Sequence, residues 1–421
     1  MFNKIFKGVC RLINDGLGLN DHGVVQITDI SALLKKIIKP QIVPQLRKES
    51  LLYDKVKKNA GVTVMNNNIY IAARTGRHSG IYSVAEGTEP NTGKSQYLQP
   101  VAPIKYSFGT IEFSDQALTA ADKSGPKAIA AILASEIMAV KDDFRMDINR
   151  CLHGAGTGKL CVVNGGDTSA TVTVDGNPNG GDGTEYLAAG MYVDIGTSGD
   201  PDASVDGVQI SSIASATTFV LASSQTVSDD DIVTKADSAE PMGIAGVIDD
   251  GDNVATIQGF LRSSYPIFKS NTDDTAESLT ESDMITMYLR ARKNGFTAKS
   301  GAILMGETMY KAYGVLLTSM KRSNVPHPVL GGGWSGLDFM DGIPVIFDPD
   351  TWDGYVQFVH LPSLTIGEMS SPMEWLEADA HGGILMRSSS DRTAWEGTLK
   401  YYYNLVGLRF NSMSRMSQKT A

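Results

Sequence analysis

The run from Asn68-Ile-Tyr-Ile71 through Arg74-Thr-Gly-Arg77-His-Ser-Gly-Ile-Tyr-Ser-Val84-Ala-Glu86-Gly-Thr-Glu-Pro90 to Ile104-Lys-Tyr-Ser-Phe108-Gly-Thr-Ile-Glu-Phe113 decides how this chain folds. Its ends alternate apolar and polar residues, with Val62-Thr-Val64 beside the first, as half-buried strands do. Between them, residues 74–103 hold few large apolar side chains and many of Gly, Ser, Thr, Asn and Pro. A loop of that length without structure is out of place inside a compact domain. A long two-stranded hairpin projecting from the body accounts for the pattern if its tip lies on another subunit, because an isolated hairpin is marginal in water. Each arm, at about 25 residues, reaches up to ~80 Å.

Outward from the hairpin, residues 27–58 read as a helix interrupted at Pro40 and Pro44, with Leu33, Leu34, Ile37 and Ile38 on one face: an extended arm. Downstream, Ser114 is placed to cap a short helix through 121. A longer helix over 127–152 carries Ile129, Ile132, Leu133, Ile137, Val140, Phe144, Ile148 and Cys151 at helical spacing. Gly154 suits the left-handed position that stops it. Residues 161–250 change character, alternating in Thr171-Val-Thr-Val174, Gln209-Ile-Ser-Ser-Ile213 and Thr217-Thr-Phe-Val-Leu221 between polar turns, which predicts an inserted small β domain. Beyond Gly251 the pattern is mixed. Thr280 N-caps a helix with Leu279 stapled to Met284 and Gly295 at its end. Strand 302–305, helix 307–319, a glycine-rich loop at 331–336, strands 344–347 and 355–361 and a closing strand over 399–406 follow.

Composition bounds the rest. At about 150 residues per domain, 421 residues make two or three folding units, and 42% hydrophobic content supplies a core for each. The longest apolar stretch, 128–140, is broken by Ser135 and Glu136 and falls short of the ~18–20 residues of a membrane span, so no membrane partner is expected. Lys4, Lys7 and Arg11 interrupt what would be a signal-peptide core. Cys10, Cys151 and Cys161 form no Cys-x-x-Cys pair, which fits free thiols in a reducing compartment. The net charge of −10 is uneven: residues 161–250 carry fifteen acidic groups and one lysine, residues 1–60 eleven basic and five acidic. The basic arm and the acidic segment therefore suit different surroundings.

Several motifs tempt and fail. Gly154-Ala-Gly-Thr-Gly158-Lys159 has His153 and Leu160 where a phosphate loop needs Gly and Ser/Thr, and it follows a helix instead of opening one. Asp175-Gly-Asn177-Pro-Asn179-Gly180-Gly-Asp182 spaces oxygens like a calcium loop, but Tyr186 stands where the bidentate carboxylate belongs, so a turn is the better reading. The six histidines, 22, 78, 153, 327, 360 and 381, lack metal-ligand spacing. Ser335 lacks a nucleophile elbow, and the carboxylate pairs Asp142/Asp143 and Asp229–Asp231 have nothing to raise one pKa. No catalytic residue, cofactor or metal is assigned.

The order of basic arm, long hairpin, long helix, mixed domain and returning strand resembles the major capsid proteins of tailed double-stranded DNA bacteriophages, the Hong-Kong-97-like fold shared with encapsulin shells. Val84-Ala-Glu86-Gly87-Thr-Glu-Pro90 is similar to the signature of the extended E-loop, and residues 127–152 with their glycine-rich exit to the spine helix of the peripheral (P) domain. Asp341-Gly342-Ile-Pro344-Val345 resembles the turn of the axial (A) domain, and Tyr402-Tyr-Asn404-Leu-Val-Gly-Leu-Arg409 the closing P-domain strand. The resemblance implies an α+β capsid fold divided as arm 1–58, E-loop 59–113, P-domain 114–160, inserted β domain 161–250, A-domain 251–361 and P-domain return 362–421.

It also implies hexamers and pentamers tiling an icosahedral shell that fills with DNA in the host cytoplasm, with a separate scaffolding protein, a portal and a decoration protein as partners. Arg74, Arg77, Glu86 and Lys94 become candidate subunit contacts. Some relatives join an E-loop Lys to an Asn. Lys94 and Asn404 would stand in here, but no acidic residue follows Asn404, so self-crosslinking is not expected. The excess of acid in 161–250 suggests a segment facing away from DNA. Two alternatives stay open: an encapsulin-like compartment enclosing an enzyme, and an adhesin or carbohydrate-binding module built on the β segment. A hydrolase has no visible nucleophile-base pair.

Overall fold

The computed structural model describes residues 51–116, 126–320, 337–376, 385–387 and 394–421. The arm up to residue 50, most of the short helix expected after Ser114 and the glycine-rich loop at 331–336 lie outside the described residues.

Helix α1 (Leu51–Lys55) leads into β1 (Val62–Met65) and β2 (Asn68–Ile71). These pair antiparallel around Asn66 and Asn67, both at positive φ, the geometry a two-residue hairpin turn requires. The short strands β3 (Ala73–Arg74) and β4 (Tyr97–Leu98) pair farther along, and β5 (Val101–Pro103) returns against β2. The first expected strand is thus itself a tight hairpin, and the long hairpin rises from a three-stranded base. Ile69, Ile71, Ala102 and Ile104 bury with Val406, which fixes that base to the body.

Strand β6 (Lys105–Ser114) follows, and a helix begins at Asp115 directly after Ser114, at the position expected for its cap. Helix α2 (Pro126–His153) matches the expected long helix within a residue at each end. Its stop differs: the Gly154 amide bonds to Cys151 O at 3.1 Å, tightening the last turn, and the left-handed glycines are Gly156 and Gly158.

The chain forms two compact units. In the smaller, made of 109–140 and 375–399 among the residues described, Leu385–Arg387 pairs antiparallel with Trp395–Gly397, and Trp395 Nε1 donates to Asp115 Oδ1 at 2.8 Å. The larger holds the hairpin, two six-stranded sheets and the closing strand.

The first of these sheets is built from β7 (Cys161–Val162), β8 (Asp167–Thr173), β9 (Tyr192–Thr197), β10 (Asp200–Ser215), β11 (Thr218–Val227) and β12 (Ile232–Lys235), in spatial order β7-β12-β9-β10-β11-β8. All three alternating segments fall in or beside it. Its own hydrophobic cluster includes Val172, Val193, Ile195, Ile210, Phe219, Leu221 and Val233, each at most 2% exposed.

The second combines β13 (Asn271–Asp273), β14 (Gly301–Met305), β15 (Leu337–Phe339), β16 (Ile343–Phe347), β17 (Val356–His360) and a C-terminal strand Ser414–Met416. Helix α3 (Glu281–Lys293) and helix α4 (Glu307–Met320) share its main core. Thr280 accepts from Asp283 N at 3.2 Å, Leu279 and Met284 bury together, and Gly295 turns at φ 101°. Elsewhere in this unit Arg262 and Arg415, both at most 1% exposed, share Asp249 at 2.9 and 3.3 Å. Removing Asp249 would leave two buried cations short of a partner, a loss of about 3–5 kcal/mol.

Candidate self-assembly surface

The hairpin holds its arms together by backbone contacts and by the Ser79 hydroxyl. Ser79 N donates to Lys94 O and Lys94 N to Ser79 Oγ, at 3.3 and 3.1 Å. One residue farther out Gly80 and Gly93 cross so closely that a Cβ on Gly93 would stand 2.0 Å from Gly80 N, so neither position admits a side chain without opening the neck. Beyond this pinch every residue from 81 to 92 is exposed, with Ile81 at 81% and Tyr82 and Val84 just above 40%. Thr88 N donates to Ala85 O at 3.1 Å, and Gly87 takes φ 82° in that turn.

The four sequence-singled residues lie along this element without meeting one another. Arg74, in β3, donates through Nε to Gly76 O at 3.2 Å. Arg77, Lys94 and Glu86 are exposed at the neck and tip, and none forms an ion pair among the described residues. What the sequence reading missed is the Gly80/Gly93 crossing and an aromatic face on the body. On β6, Tyr106 and Phe108 point outward, 47% and 53% exposed. Their partner Tyr402 comes from β19 (Ala394–Gly407), which follows β18 (Leu364–Glu368) in the chain. The alternation that exposes them is present in both strands as read from sequence.

Other candidates resolve into structural roles. Asn404 is 4% exposed: its Oδ1 accepts from Met242 N at 2.8 Å and its Nδ2 donates to Pro103 O at 2.7 Å, so its amide ties the hairpin base to the closing strand. The calcium-like turn spends its oxygens on itself, Asn177 Oδ1 accepting from Gly181 N at 2.7 Å, and its far end docks on the loop after β16. There Asn179 Nδ2 donates to Pro349 O and to Tyr186 OH, both at 2.8 Å, and Tyr186 OH donates to Asp350 Oδ1 at 3.0 Å. Burial pushes the Tyr186 hydroxyl up, out of reach of ionisation at neutral pH. Beside the glycine-rich loop 154–158 lies a cavity of about 20 Å³, room for a water and not for a nucleotide.

Among the described residues, Asp250, Asp252 and Asp274 bring ligand atoms within 4.8 Å of one another, but Asp274 is already bonded to Arg415 at 3.1 Å. The structure also brings Ser363 Oγ to 2.7 Å from His360 Nδ1, a nucleophile-base distance invisible in sequence. Ser363 is 3% exposed and also meets Ser412 Oγ, while Thr297 and Ser300 hydroxyls face Nε2, so the pair knits loops together. Burial, helped by Arg409, lowers the His360 pKa below the usual imidazole range.

No family model matches the sequence, and neither does any curated protein. Solved structures do. The capsid asymmetric unit of cyanophage A-1(L) is 14% identical with a TM-score of 0.54, covering 94% of this chain and 100% of that one. The capsid of a native GTA particle (11%, TM-score 0.49, 93% and 98% covered) and an encapsulin complex from Synechococcus elongatus (9%, TM-score 0.45, 94% and 96% covered) are also similar. At such identities the likeness speaks to fold alone, and the cyanophage match carries it over nearly the entire length of both chains. The spine-like helix, the hairpin on its three-stranded base and the closing strand all stand in the expected order, and the chain has the α+β, Hong-Kong-97-like fold of phage capsid proteins.

Proposed function

We propose that this chain is a structural major capsid protein, without catalysis, that assembles with its own copies into hexamers and pentamers of an icosahedral phage head enclosing double-stranded DNA. The observation that carries this reading is the hairpin tip: twelve consecutive exposed residues, three of them large and apolar, held out beyond a glycine crossing on a capsid fold. Full burial of a side chain such as Ile81 is worth about 1.5–3 kcal/mol, a gain the lone chain forgoes and a lattice of copies collects. Folding and assembly free energy are then partly the same quantity.

On this reading Arg74, Arg77, Glu86 and Lys94 face neighbouring subunits, where rim charges set register more than affinity. The division into arm 1–58, E-loop 59–113, P-domain 114–160, inserted β domain 161–250, A-domain 251–361 and P-domain return 362–421 belongs to the same proposal. So do an outward-facing β domain, a separate scaffolding protein, a portal and a decoration protein. The acidic excess of 161–250 supports the outward placement, since a polyanion repels it. DNA contact is non-specific and falls to basic segments.

Sedimentation velocity and negative-stain microscopy of the expressed protein, with and without its scaffold, test the reading. Closed particles are expected; a chain that stays monomeric under every assembly condition contradicts it. Particles isolated with an enzyme inside instead of DNA would favour the compartment alternative.

A further inference from the structure

The chain holds three Asn-Gly pairs, Asn164-Gly165, Asn179-Gly180 and Asn294-Gly295. In such a pair the glycine nitrogen can approach the asparagine side-chain carbon, because no Cβ stands in the way. The fold treats the three differently. Gly180 N donates to Asn177 O at 3.0 Å, and the Asn179 amide is held by Tyr186 OH, Pro349 O and Gly181 N. Gly295 N donates to Arg292 O at 3.1 Å, and Asn294 Nδ2 to Arg290 O at 3.2 Å. In both, the glycine nitrogen is tied to a neutral carbonyl, a poor acceptor for its proton. At the third pair, Gly165 N donates to Asp229 Oδ1 at 2.7 Å and Asn164 Nδ2 to Asp175 Oδ1 at 2.6 Å. The nucleophile faces one carboxylate, a second fixes the amide that would leave, and all four residues are exposed to water. Gly165 turns at φ 80°, and a Cβ there would meet nothing within 4 Å, which leaves room for a ring to close.

We propose that Asn164 is a self-modification site, where the chain deamidates itself with Asp229 as the proton acceptor. The Gly165 nitrogen bonds to Asn164 Cγ, and its proton passes to the Asp229 carboxylate. The Cγ–Nδ2 bond then breaks, and Nδ2 leaves as ammonia, carrying that proton. A cyclic imide remains. Water opens it at Cγ to give an aspartate, or at the main-chain carbonyl to give an isoaspartate, and neither step oxidises or reduces anything.

The position gives the reaction a consequence. Val163 bridges Val174, Asn164 N donates to Thr173 O and Asp175 N to Val162 O, both bonds at 2.9 Å. These contacts join the outer strands β7 and β8, so the six-stranded sheet closes on itself at this turn. A carboxylate formed at position 164 faces Asp175 where an amide donated before, and attraction becomes repulsion at the seam. An isoaspartate also adds a carbon to the backbone there. The closure of the sheet therefore loosens as the protein ages.

The purified full chain is incubated at neutral pH, folded and in urea, sampled over time, and mapped by proteolysis and mass spectrometry. Labelling with an isoaspartyl methyltransferase reads the isoaspartate. In the folded chain, conversion at Asn164 is expected to run at least about tenfold faster than at Asn179 or Asn294, while in urea the three rates approach one another. A folded chain that converts Asn164 no faster than the other two overturns the proposal, and this ranking within one unaltered chain needs no variant to fold. Asp229→Asn is expected to slow conversion at Asn164 about tenfold and to leave the other two pairs as slow as before; an unchanged rate overturns the role of Asp229. For the consequence, Asn164→Asp supplies the product directly and Asn164→Gln keeps the amide. Faster amide exchange at Val163 and Val174 in the first than in the second is expected, and equal exchange overturns the loosening of the seam.

Discussion

The hairpin and the β sheet of residues 161–235 are built from similar material, short strands separated by turns rich in glycine and polar residues, yet they settle in opposite ways. The sheet gathers Val172, Val193, Ile195, Ile210, Phe219, Leu221 and Val233 into a core of its own, while the hairpin beyond Thr75 buries almost nothing and displays Ile81, Tyr82 and Val84. A sheet of six strands has enough inward positions to close a core; two strands do not. What one element obtains from within its own sequence the other, on the proposed function, finds on a second molecule.

Thiol chemistry should separate the two most widely. Burial pushes the Cys161 thiol up to about 12, which lowers its thiolate fraction roughly a thousandfold below that of an ordinary thiol. In a Cys10→Ser background, Cys161 is expected to resist alkylation until the chain unfolds, whereas Ser83→Cys at the tip reacts at once in the unassembled chain. Equal rates at the two positions would break the comparison.

Next in size, Phe219→Ala empties a fully buried site and should cost about 3–5 kcal/mol in urea unfolding of the unassembled chain. A loss below about 1 kcal/mol would mean the sheet is not self-supporting. Tyr186→Phe removes a hydroxyl that accepts from Asn179 and donates to Asp350, and should cost about 1–3 kcal/mol by the same measurement. That value sharpens how firmly the sheet is tied to the body. Smallest of all, Ile81→Ser should move the stability of the unassembled chain by less than about 0.5 kcal/mol while abolishing particle yield. A larger loss in the unassembled chain would place Ile81 in a contact the lone chain already makes.

Periodicity carried the regular elements: the long helix, the Thr280-capped helix, the alternating strands of the β sheet and the closing strand stand where their side-chain spacing puts them. It failed where backbone geometry decides. Nothing in the composition distinguishes Gly154 from Gly156 as the left-handed glycine, because the choice depends on a 3.1 Å bond closing the last helical turn. The Gly80/Gly93 crossing and the Ser363/His360 contact depend on residues brought together by the fold. At the assembly surface, the exposed tip was readable from its lack of apolar partners. The aromatic face was not, since Tyr106 and Phe108 look like core residues until β6 is seen to turn them outward.

Amide hydrogen exchange, measured on the dilute unassembled chain and on purified particles, bears most directly on the central claim. Amides of residues 81–92 are expected to exchange at near-random-coil rates in the former and to become protected in the latter, with those of Tyr192–Thr197 and Ile232–Lys235 slow in both. Protection of the tip in the lone chain, or a tip that exchanges equally fast after assembly, would contradict it.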